Sequence, residues 1–433
     1  MRVAMLSPIA WRTPPRHYGP WENVVSILTE GLLVRGVDVT LFATKDSVTS
    51  GRLVAVCPRG YEEDKEIDPK VWECLHISEL FEQGDRFDLI HNHFDFLPLT
   101  YTGMTSTPVV TTIHGFSSPK ILPVYKKYNR KVYYVAISNA DRSPELDYIA
   151  TIHHGIDLSL FTFNPDPGSY LLFFGRIHPD KGTREAIDIA RLAGRPLIIA
   201  GIVQDRDYFA REVEPAVDGT QVRYVGSADP SRRNELLGRA WALLHPIRFE
   251  EPFGLSVVEA MACGTPVIAF NRGSMAEVID SGKTGFLVSS VEEAAEKVSR
   301  VREIDRQACR RWVETRFSAD RMVESYLSVY EKILADRSGS GRGPWGHVRV
   351  MEEASDYKLN KRLLHPGSRI ALEGSPDRHR RLIILQGEAL VERNGSELRA
   401  CRGEVITVGR EAACRLANTA QEDLVFLELE TAL

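Results

Sequence analysis

The sequence lacks the features of a membrane-embedded or disulfide-stabilised protein. Its 433 residues include only six cysteines, which are scattered and form no CxxC pair, and this pattern indicates reduced thiols. No uncharged apolar run approaches the roughly 20 residues that a membrane-spanning helix needs. The opening residues MRVAMLSP have the length of one strand and lack the pattern of a secretory signal. We therefore expect a cytoplasmic protein with no transmembrane segment.

The charge balance also excludes a class of partner. The chain carries 54 Lys and Arg against 59 Asp and Glu, a formal net charge of -5. A nucleic-acid-binding protein would show a basic excess, so no nucleic-acid partner is expected. The hydrophobic fraction of 43% is high enough to build large cores, which excludes a mainly disordered chain.

Three familiar site motifs are missing. The loop after the first apolar run, IAWRTPPRHYGPWENV, contains no GxGxxG, so it lacks the usual fingerprint of a nicotinamide dehydrogenase. The segment Ser281–Thr284 ends like a Walker motif, but Glu277 stands where its first glycine belongs. Histidines at 91, 93, 153 and 154 have no nearby residues that complete a ligand set. We expect no metal ion.

Apolar runs and helical segments alternate through the first three quarters of the chain. Strands are predicted at 2–8, 37–44, 87–93, 108–115 and 132–138, and again at 170–177, 196–203, 221–226, 241–247 and 265–270. Helices are predicted at 22–34, 183–193, 256–263 and 319–334. Continuous apolar strands alternating with helices indicate doubly wound parallel sheets. The expected domains are 1–150 and 151–335.

The composition changes after residue 335. SGSGRG at 338–343 reads as a flexible linker, which we assign to 336–344. Residues 345–433 then show short β-like runs separated by Gly or Asn-Gly at intervals of about ten residues. Such spacing predicts a small antiparallel barrel or sandwich as a third domain.

Two cations flank a predicted strand–helix turn in the second domain. Arg176 follows the strand that ends in Phe174-Gly175, and Lys181-Gly182 opens the next helix. Both side chains can point into the crevice at the carboxyl edge of the sheet. Fixed cations beside helix N-termini suit a diphosphate. The plainer alternative is a surface salt-bridge pair.

Two carboxylates follow another buried strand of this domain. Glu251 lies in the loop, Phe253-Gly254 forms a tight turn with free backbone N–H groups, and Glu259 falls in the apolar helix LSVVEAMACG. A carboxylate on an apolar face is costly without a partner. A ribose diol can be that partner; the alternative is a structural glutamate paired with an arginine.

These residues together resemble the retaining glycosyltransferases of family 4. The similar runs are FFGRIHPDKG at 173–182, the long stretch at 246–288, and Thr112-Ile113-His114-Gly115, and the resemblance spans roughly residues 1–335. The stretch WRTPPRHYGPWE also looks like that of bacterial family 4 enzymes acting on antibiotics or polysaccharides. The resemblance implies the α/β fold called GT-B, with two Rossmann-like domains, a deep cleft and a crossing helix at 319–334.

The resemblance implies a role for each matching residue. Arg176 and Lys181 would bind the donor diphosphate and stabilise the leaving nucleotide. Glu251 would contact hydroxyls of the transferred sugar, Glu259 would hold the ribose, and His114 would face the sugar from the acceptor side. The remaining donor contacts would be Gly19 and the backbone amides of Phe253, Gly254 and Leu255. The acceptor pocket would contain His17, Tyr18 and Glu22.

The implied reaction is a retaining, metal-independent sugar transfer from a nucleoside-diphosphate sugar to a sugar-like acceptor. No cofactor is implied, because Arg176 and Lys181 already supply positive charge. Two other classes stay open: a non-hydrolysing sugar-nucleotide epimerase, which shares the GT-B architecture, and a non-catalytic sugar-nucleotide sensor. Sugar transfer is favoured over the epimerase and the sensor because the sequence contains all four matching residues, Arg176, Lys181, Glu251 and His114.

The third domain resembles the cupin-like domain of mannose-1-phosphate guanylyltransferase/phosphomannose isomerases. In that family a His-rich stretch before the IILQG strand binds metal; here the stretch reads EGSPDRH, from Glu373 to His379. A further histidine expected near Cys414 is absent, and His379, Asp377 and Cys414 make a poor metal set. We expect a non-catalytic binding, regulatory or dimerising module. Its ancestry hints at GDP-mannose as donor, with a UDP-glucose-type donor as the alternative.

Overall fold

The computed structural model describes residues 1–16, 18–115, 119–338, 342–343, 345–372, 378–393, 396–409 and 414–432. The chain forms two compact units, Met1–Tyr330 and Glu331–Leu433. Within these described ranges, each helix is either too short or too polar to cross a lipid bilayer.

The first sheet of the larger unit is parallel throughout and has the order β3-β2-β1-β4-β5-β6-β7. Its strands are β1 (Arg2–Leu6), β2 (Asp38–Phe42), β3 (Arg52–Val54), β4 (Leu89–Asn92), β5 (Val109–Ile113), β6 (Tyr133–Ala136) and β7 (Tyr148–Thr151). Its α-helices are α1 (Pro20–Val34), α2 (Pro69–Glu82) and α3 (Leu122–Tyr128). The central strands are buried on both faces, as parallel strands covered by helices must be.

The second sheet is also parallel and has the order β10-β9-β8-β11-β12-β13. Its strands are β8 (Leu171–Phe174), β9 (Leu197–Ala200), β10 (Val222–Tyr224), β11 (Ala242–His245), β12 (Val267–Phe270) and β13 (Gly285–Val288). The helices are α4 (Thr183–Leu192), α5 (Arg206–Tyr208), α6 (Pro230–Arg239), α7 (Leu255–Ala262), α8 (Met275–Val278), α9 (Val291–Arg300), α10 (Arg306–Arg316) and α11 (Ala319–Ser338). The prediction of two Rossmann-like sheets is confirmed.

Polar contacts join the two halves of the larger unit. The carboxylate of Glu277, on α8, accepts hydrogen bonds from the backbone N–H groups of Asn139 at 2.9 Å and Ala140 at 2.8 Å. His153 Nε2 lies 3.1 Å from the same side chain. Helix α11 adds Tyr326 and Tyr330, both fully buried. The loops after β6 and β7 are therefore fixed to the second half by more than apolar packing.

The smaller unit is built from two antiparallel sheets, as the short runs predicted. The six-stranded sheet contains β14 (Arg342–Gly343), β15 (Gly346–Glu353), β16 (Tyr357–Leu364), β18 (Arg378–Gln386), β21 (Val405–Val408) and β23 (Leu424–Ala432). The four-stranded sheet contains β17 (Arg369–Leu372), β19 (Glu388–Arg393), β20 (Ser396–Cys401) and β22 (Cys414–Asn418). Leu382, Leu416 and Phe426 are fully buried between them, which is the arrangement of a cupin-like β domain.

The turn between β8 and α4 depends on a glycine. Gly182 has a φ of 71°, and a Cβ atom at this position would lie 1.9 Å from the carbonyl oxygen of Pro246. The absence of a side chain therefore lets the loop after β8 lie directly against the end of β11. This contact brings Lys181 and the loop that follows His245 to one place.

We expect Gly182→Ala to lower the free energy of unfolding by at least about 2 kcal/mol more than Gly194→Ala does. Gly194 has a similar φ of 63°, but a Cβ atom added there would have no neighbour within 4 Å, so its substitution carries only the backbone cost. Urea unfolding of both variants measures the difference. Equal losses would show that the contact with Pro246 does not constrain the turn.

Candidate active site

The two predicted cations lie at the carboxyl edge of the second sheet. Arg176 is 22% exposed at its side chain and lies 3.6 Å from the carboxylate of Asp180; it also contacts Gln204. Lys181 Nζ donates a hydrogen bond of 2.6 Å to Glu251 Oε2. The second cation is thus paired with the first predicted carboxylate, not with a surface residue. Two partly exposed cations at this edge can hold a diphosphate.

Two further side chains that the sequence did not single out lie beside the Lys181–Glu251 pair. His245, the last residue of β11, places its Nε2 3.4 Å from Glu251 Oε2. Phe249 lies under Lys181, with the ammonium nitrogen 4.5 Å from the ring centroid. Burial alone would raise the pKa of Glu251, but His245 and the positive charge of Lys181 outweigh it and lower the pKa to about 2. The carboxylate is therefore ionised at neutral pH.

The turn after Glu251 leads directly into helix α7. Gly254 has a φ of 87° and precedes the helix, and Phe253 is buried with its carbonyl accepting a 3.0 Å hydrogen bond from Ser274 Oγ. The first N–H groups of a helix have no partner within it. The amides of Gly254 and Leu255 stand at this helix end, as expected for groups that meet an anion.

Glu259 is 7% exposed on the first turns of α7. Burial raises its pKa, and the charge of Arg233 partly opposes that rise. Arg233 Nη1 donates to Glu259 Oε1 at 3.2 Å. The arginine-paired alternative therefore describes this structure, and a ribose would have to share the carboxylate with Arg233.

Of the predicted acceptor residues, Tyr18 lies in the loop after β1 and Glu22 in the first turn of α1. His17 lies outside the described residues. Glu22 is 3% exposed and accepts a 3.2 Å hydrogen bond from the backbone N–H of Trp11; burial raises its pKa to about 7. At Gly19 a Cβ atom would lie 2.8 Å from Pro15 and 3.0 Å from Glu22 Oε2. The loop is thus packed around a buried carboxyl group.

Tyr18 links this loop to the second sheet. Its ring packs edge-on against Trp11 at 6.1 Å between centroids. Burial raises its pKa, and the charge of Arg176 partly lowers it while Glu22 and Glu251 raise it further. These effects require proximity, so residues from both halves of the larger unit meet here.

His114 follows β5 and is almost fully buried. Its ring stacks on Trp21 at 5.2 Å. Its Nε2 lies 2.8 Å from His93 Nδ1, and its Nδ1 lies 3.2 Å from His154 Nε2. Both ring nitrogens are therefore engaged, and a sugar contact through the ring requires one of these bonds to be exchanged. At the next residue, Gly115, a Cβ atom would lie 2.7 Å from Pro252 Cγ.

The third domain has no metal site among the described residues, where no group of three or more His, Cys, Asp or Glu is arranged to hold an ion. His379 lies in the six-stranded sheet, Cys414 starts a strand of the four-stranded sheet, and Asp377 is not described. A fully buried carboxylate, Glu428, instead accepts a 2.6 Å hydrogen bond from Arg362 and one of 3.1 Å from Asn360.

Comparison with known proteins agrees with this geometry. Residues 161–316 match the family described as Glycosyl transferases group 1, and residues 21–143 match Glycosyltransferase Family 4. Residues 337–432 match the family Mannose-6-phosphate isomerase C-terminal. The larger unit therefore has the GT-B fold and matches two glycosyltransferase family models. More particularly, the protein combines group 1 and family 4 glycosyltransferase domains with a cupin-like C-terminal domain.

Individual relatives are distant. A glycogen synthase of Mycobacterium tuberculosis is 27% identical, over 66% of this chain and 81% of the relative. A phosphatidyl-myo-inositol mannosyltransferase of Mycobacterium leprae is 24% identical, over 68% and 85%. Among solved structures, AviGT4, a glycosyltransferase involved in avilamycin A biosynthesis, has a TM-score of 0.58 at 23% identity, covering 77% of this chain and 98% of its own. Anabaena Alr3699/HepE in complex with UDP-glucose has a TM-score of 0.60 at 18% identity, covering 77% and 100%.

The raised pKa of Glu22 makes a testable contribution to stability. A carboxyl group with a raised pKa in the folded state stabilises the protein at low pH, and this stabilisation is lost as pH rises through the folded pKa. Between about pH 4.5 and 8 we expect the free energy of unfolding to lose up to about 3 kcal/mol through this residue. Glu22→Gln should remove that loss.

Urea unfolding across this pH range compares the wild type with Glu22→Gln. Glu66→Gln is the matched control, because Glu66 is an exposed carboxylate of the same half of the unit. Parallel pH profiles for all three proteins would contradict the burial of an uncharged Glu22.

Proposed function

We propose that the protein moves a hexose from a nucleoside-diphosphate sugar to a hydroxyl of a saccharide or small molecule, with retention of the anomeric configuration. The observation that carries the proposal is the pairing of Lys181 with Glu251 beside Arg176. These residues offer cations for a diphosphate and an ionised carboxylate for sugar hydroxyls at one sheet edge.

Arg176 and Lys181 act on the leaving group. Negative charge develops on the departing diphosphate, and fixed cations in a partly buried site stabilise it more in the transition state than in the ground state. Lys181 is already oriented by Glu251 and Phe249. Because these two residues supply the positive charge, the proposed reaction needs no metal ion and no cofactor.

The rest of the donor is held by helix α7 and the loops beside it. Glu259 binds the ribose hydroxyls while remaining close to Arg233. The backbone amides of Phe253, Gly254 and Leu255 contact the sugar or the phosphate. Gly19 allows the loop after β1 to approach the phosphate.

The acceptor binds from the side of the first sheet. His17, Tyr18 and Glu22 line its pocket, and His114 faces the sugar from this side. The acceptor oxygen attacks the anomeric carbon on the face that the phosphate leaves. The bond from this carbon to the phosphate oxygen breaks, the bond to the acceptor oxygen forms, and the acceptor proton passes to the departing phosphate. Closure of the cleft on donor binding would exclude water.

GDP-mannose is the proposed donor. Two similarities support it: the C-terminal domain matches a mannose-6-phosphate isomerase family, and relatives include phosphatidyl-myo-inositol mannosyltransferases. UDP-glucose is the alternative, because a solved structure of similar fold is a complex with UDP-glucose.

The cupin-like domain acts as a binding, regulatory or dimerising module and not as an isomerase. The support is the unsuitable set of His379, Asp377 and Cys414, together with the ion-paired Glu428. We propose a cytoplasmic protein that can form homodimers through this domain.

Removing either cation should slow transfer. We expect Arg176→Ala and Lys181→Ala each to lower kcat/KM by the equivalent of about 2–4 kcal/mol of transition-state stabilisation. Lys283→Ala is the matched control, because Lys283 is an exposed lysine paired with Asp280. Product formation from the cognate donor measures the effect. Near-wild-type rates for both site variants would refute their role at the diphosphate.

A thermal-shift titration identifies the nucleotide. Ligands that bind only the folded state raise the melting temperature, so GDP, UDP and ADP, with their sugar conjugates, are compared without added metal. We expect the largest shift with GDP and GDP-mannose. A shift with UDP alone would move the donor to the glucose type, and no shift with any nucleotide or sugar nucleotide would contradict the proposed donor site.

A further inference from the structure

The buried carboxylate of Glu259 uses only one of its two oxygens within the protein. Arg233 Nη1 donates a hydrogen bond of 3.2 Å to Oε1. The other oxygen, Oε2, accepts no hydrogen bond from a described residue, and 10% of the side chain remains exposed. An ionised carboxylate can accept about four hydrogen bonds. Glu259 therefore keeps most of its capacity to accept hydrogen bonds from a ligand.

Arg233, on helix α6, is held in place by its surroundings. Its guanidinium carbon lies 5.0 Å from the centroid of the buried Phe161 ring, and its Nε is buried without a hydrogen-bond partner among the described residues. The next residue, Asn234, accepts hydrogen bonds at Oδ1 from the backbone N–H of Thr162 at 2.9 Å and from the thiol of Cys263 at 3.4 Å. Helix α6 is thus tied to helix α7 and to the loop that contains Phe161.

Arg233 is the counter-ion of Glu259. Among the residues that the structure describes, it is the one cation that forms an ion pair with this carboxylate. Cys263, one turn further along α7, is neutral because burial raises the pKa of its thiol to about 12. Arg310, on α10, donates instead to two backbone carbonyl oxygens and to Glu314. Burial raises the pKa of Glu259 and the charge of Arg233 opposes that rise, so Arg233 favours the ionised form.

We propose that Arg233 is a positioning residue for the ribose of the donor, and that its pair with Glu259 restricts the donor to ribonucleotide sugars. This inference rests on the proposed function, which places the ribose at Glu259. A fixed, ionised carboxylate with a free oxygen can accept hydrogen bonds from both the 2′-hydroxyl and the 3′-hydroxyl. A deoxyribose would leave part of this buried group unpaired, and sites built to bind a hydroxyl strongly reject ligands that lack it. Deoxyribonucleoside-diphosphate sugars are therefore excluded as donors.

Calorimetric titration of the full chain compares GDP with 2′-deoxy-GDP and 2′,3′-dideoxy-GDP, and the corresponding UDP series is titrated in parallel. We expect the wild type to bind the ribonucleotide at least about tenfold more tightly than the dideoxy form. Arg233→Gln should reduce this ratio to less than about threefold, because a neutral side chain no longer favours the carboxylate. Arg232→Gln is the matched control and should keep the wild-type ratio, since Arg232 is half exposed and pairs with Glu235.

Two further variants separate the charge of Arg233 from its packing. Arg233→Lys keeps the positive charge and should recover most of the ratio between ribonucleotide and dideoxynucleotide affinity. Glu259→Gln keeps the shape of the carboxylate but removes its charge, and it should lower the ratio as Arg233→Gln does. A purely structural role of Arg233 would instead weaken the binding of all the nucleotides alike and leave the ratio unchanged. If Arg233→Gln does not fold, Glu259→Gln decides the question.

The outcomes distinguish a failure of this inference from a failure of the proposed function. A wild type that binds ribonucleotide and dideoxynucleotide equally well would overturn the inference, and so would an unchanged ratio in Arg233→Gln or Glu259→Gln. In each of these cases the nucleotide still binds, so the proposed donor site stands. A wild type that binds neither the GDP nor the UDP series would contradict the proposed donor site, and the role of Arg233 would fail with it.

Discussion

The buried ion pair between Lys181 and Glu251 is the constraint on which the rest of the site depends. A carboxylate 8% exposed is costly to bury alone, so the loop after β11 can adopt its path only where Lys181 reaches it. Gly182 makes that approach possible by leaving room for the Pro246 carbonyl. One pair of charges thus fixes the loops after β8 and β11 together, and the turn into α7 follows from the same anchor.

Loops of the first sheet lie close to this ion pair, and small and aromatic residues make the contacts. Gly115 lies against Pro252, one residue beyond Glu251. The charges of Arg176 and Glu251 both affect the pKa of Tyr18. Further inside the larger unit, His114 contacts His93, and His91 contacts the hydroxyl of Tyr330 on α11. Helix α11 therefore does more than cover apolar surface, because its tyrosines contact the buried polar groups of His91 and Thr112.

Much of this fold could be predicted from the sequence. The buried parallel strands are continuous apolar runs, and their alternation with helices indicates a parallel sheet covered by helices on both faces. Helix α2 could not, because its apolar residues do not form one buried stripe: Val71 and Leu75 are about half exposed while His76 is buried. That Arg176, Lys181 and Glu251 lie at one sheet edge was predictable from their positions in the loops after strands. The buried contact of His91 with Tyr330 was not predictable, because the two residues are far apart in sequence and a lone histidine carries no pattern. An arginine partner for Glu259 is one of two alternatives that the sequence allows, but only the structure identifies it as Arg233.

A crystal structure of the protein with a nucleoside diphosphate tests the central claim most directly. We expect electron density for the diphosphate within hydrogen-bonding distance of Arg176 and Lys181, with the ribose at Glu259 and the Lys181–Glu251 contact kept or exchanged for a phosphate oxygen. Density for the nucleotide only in the cupin-like domain, or with its phosphates away from both cations, would contradict the assignment of this sheet edge as the donor site.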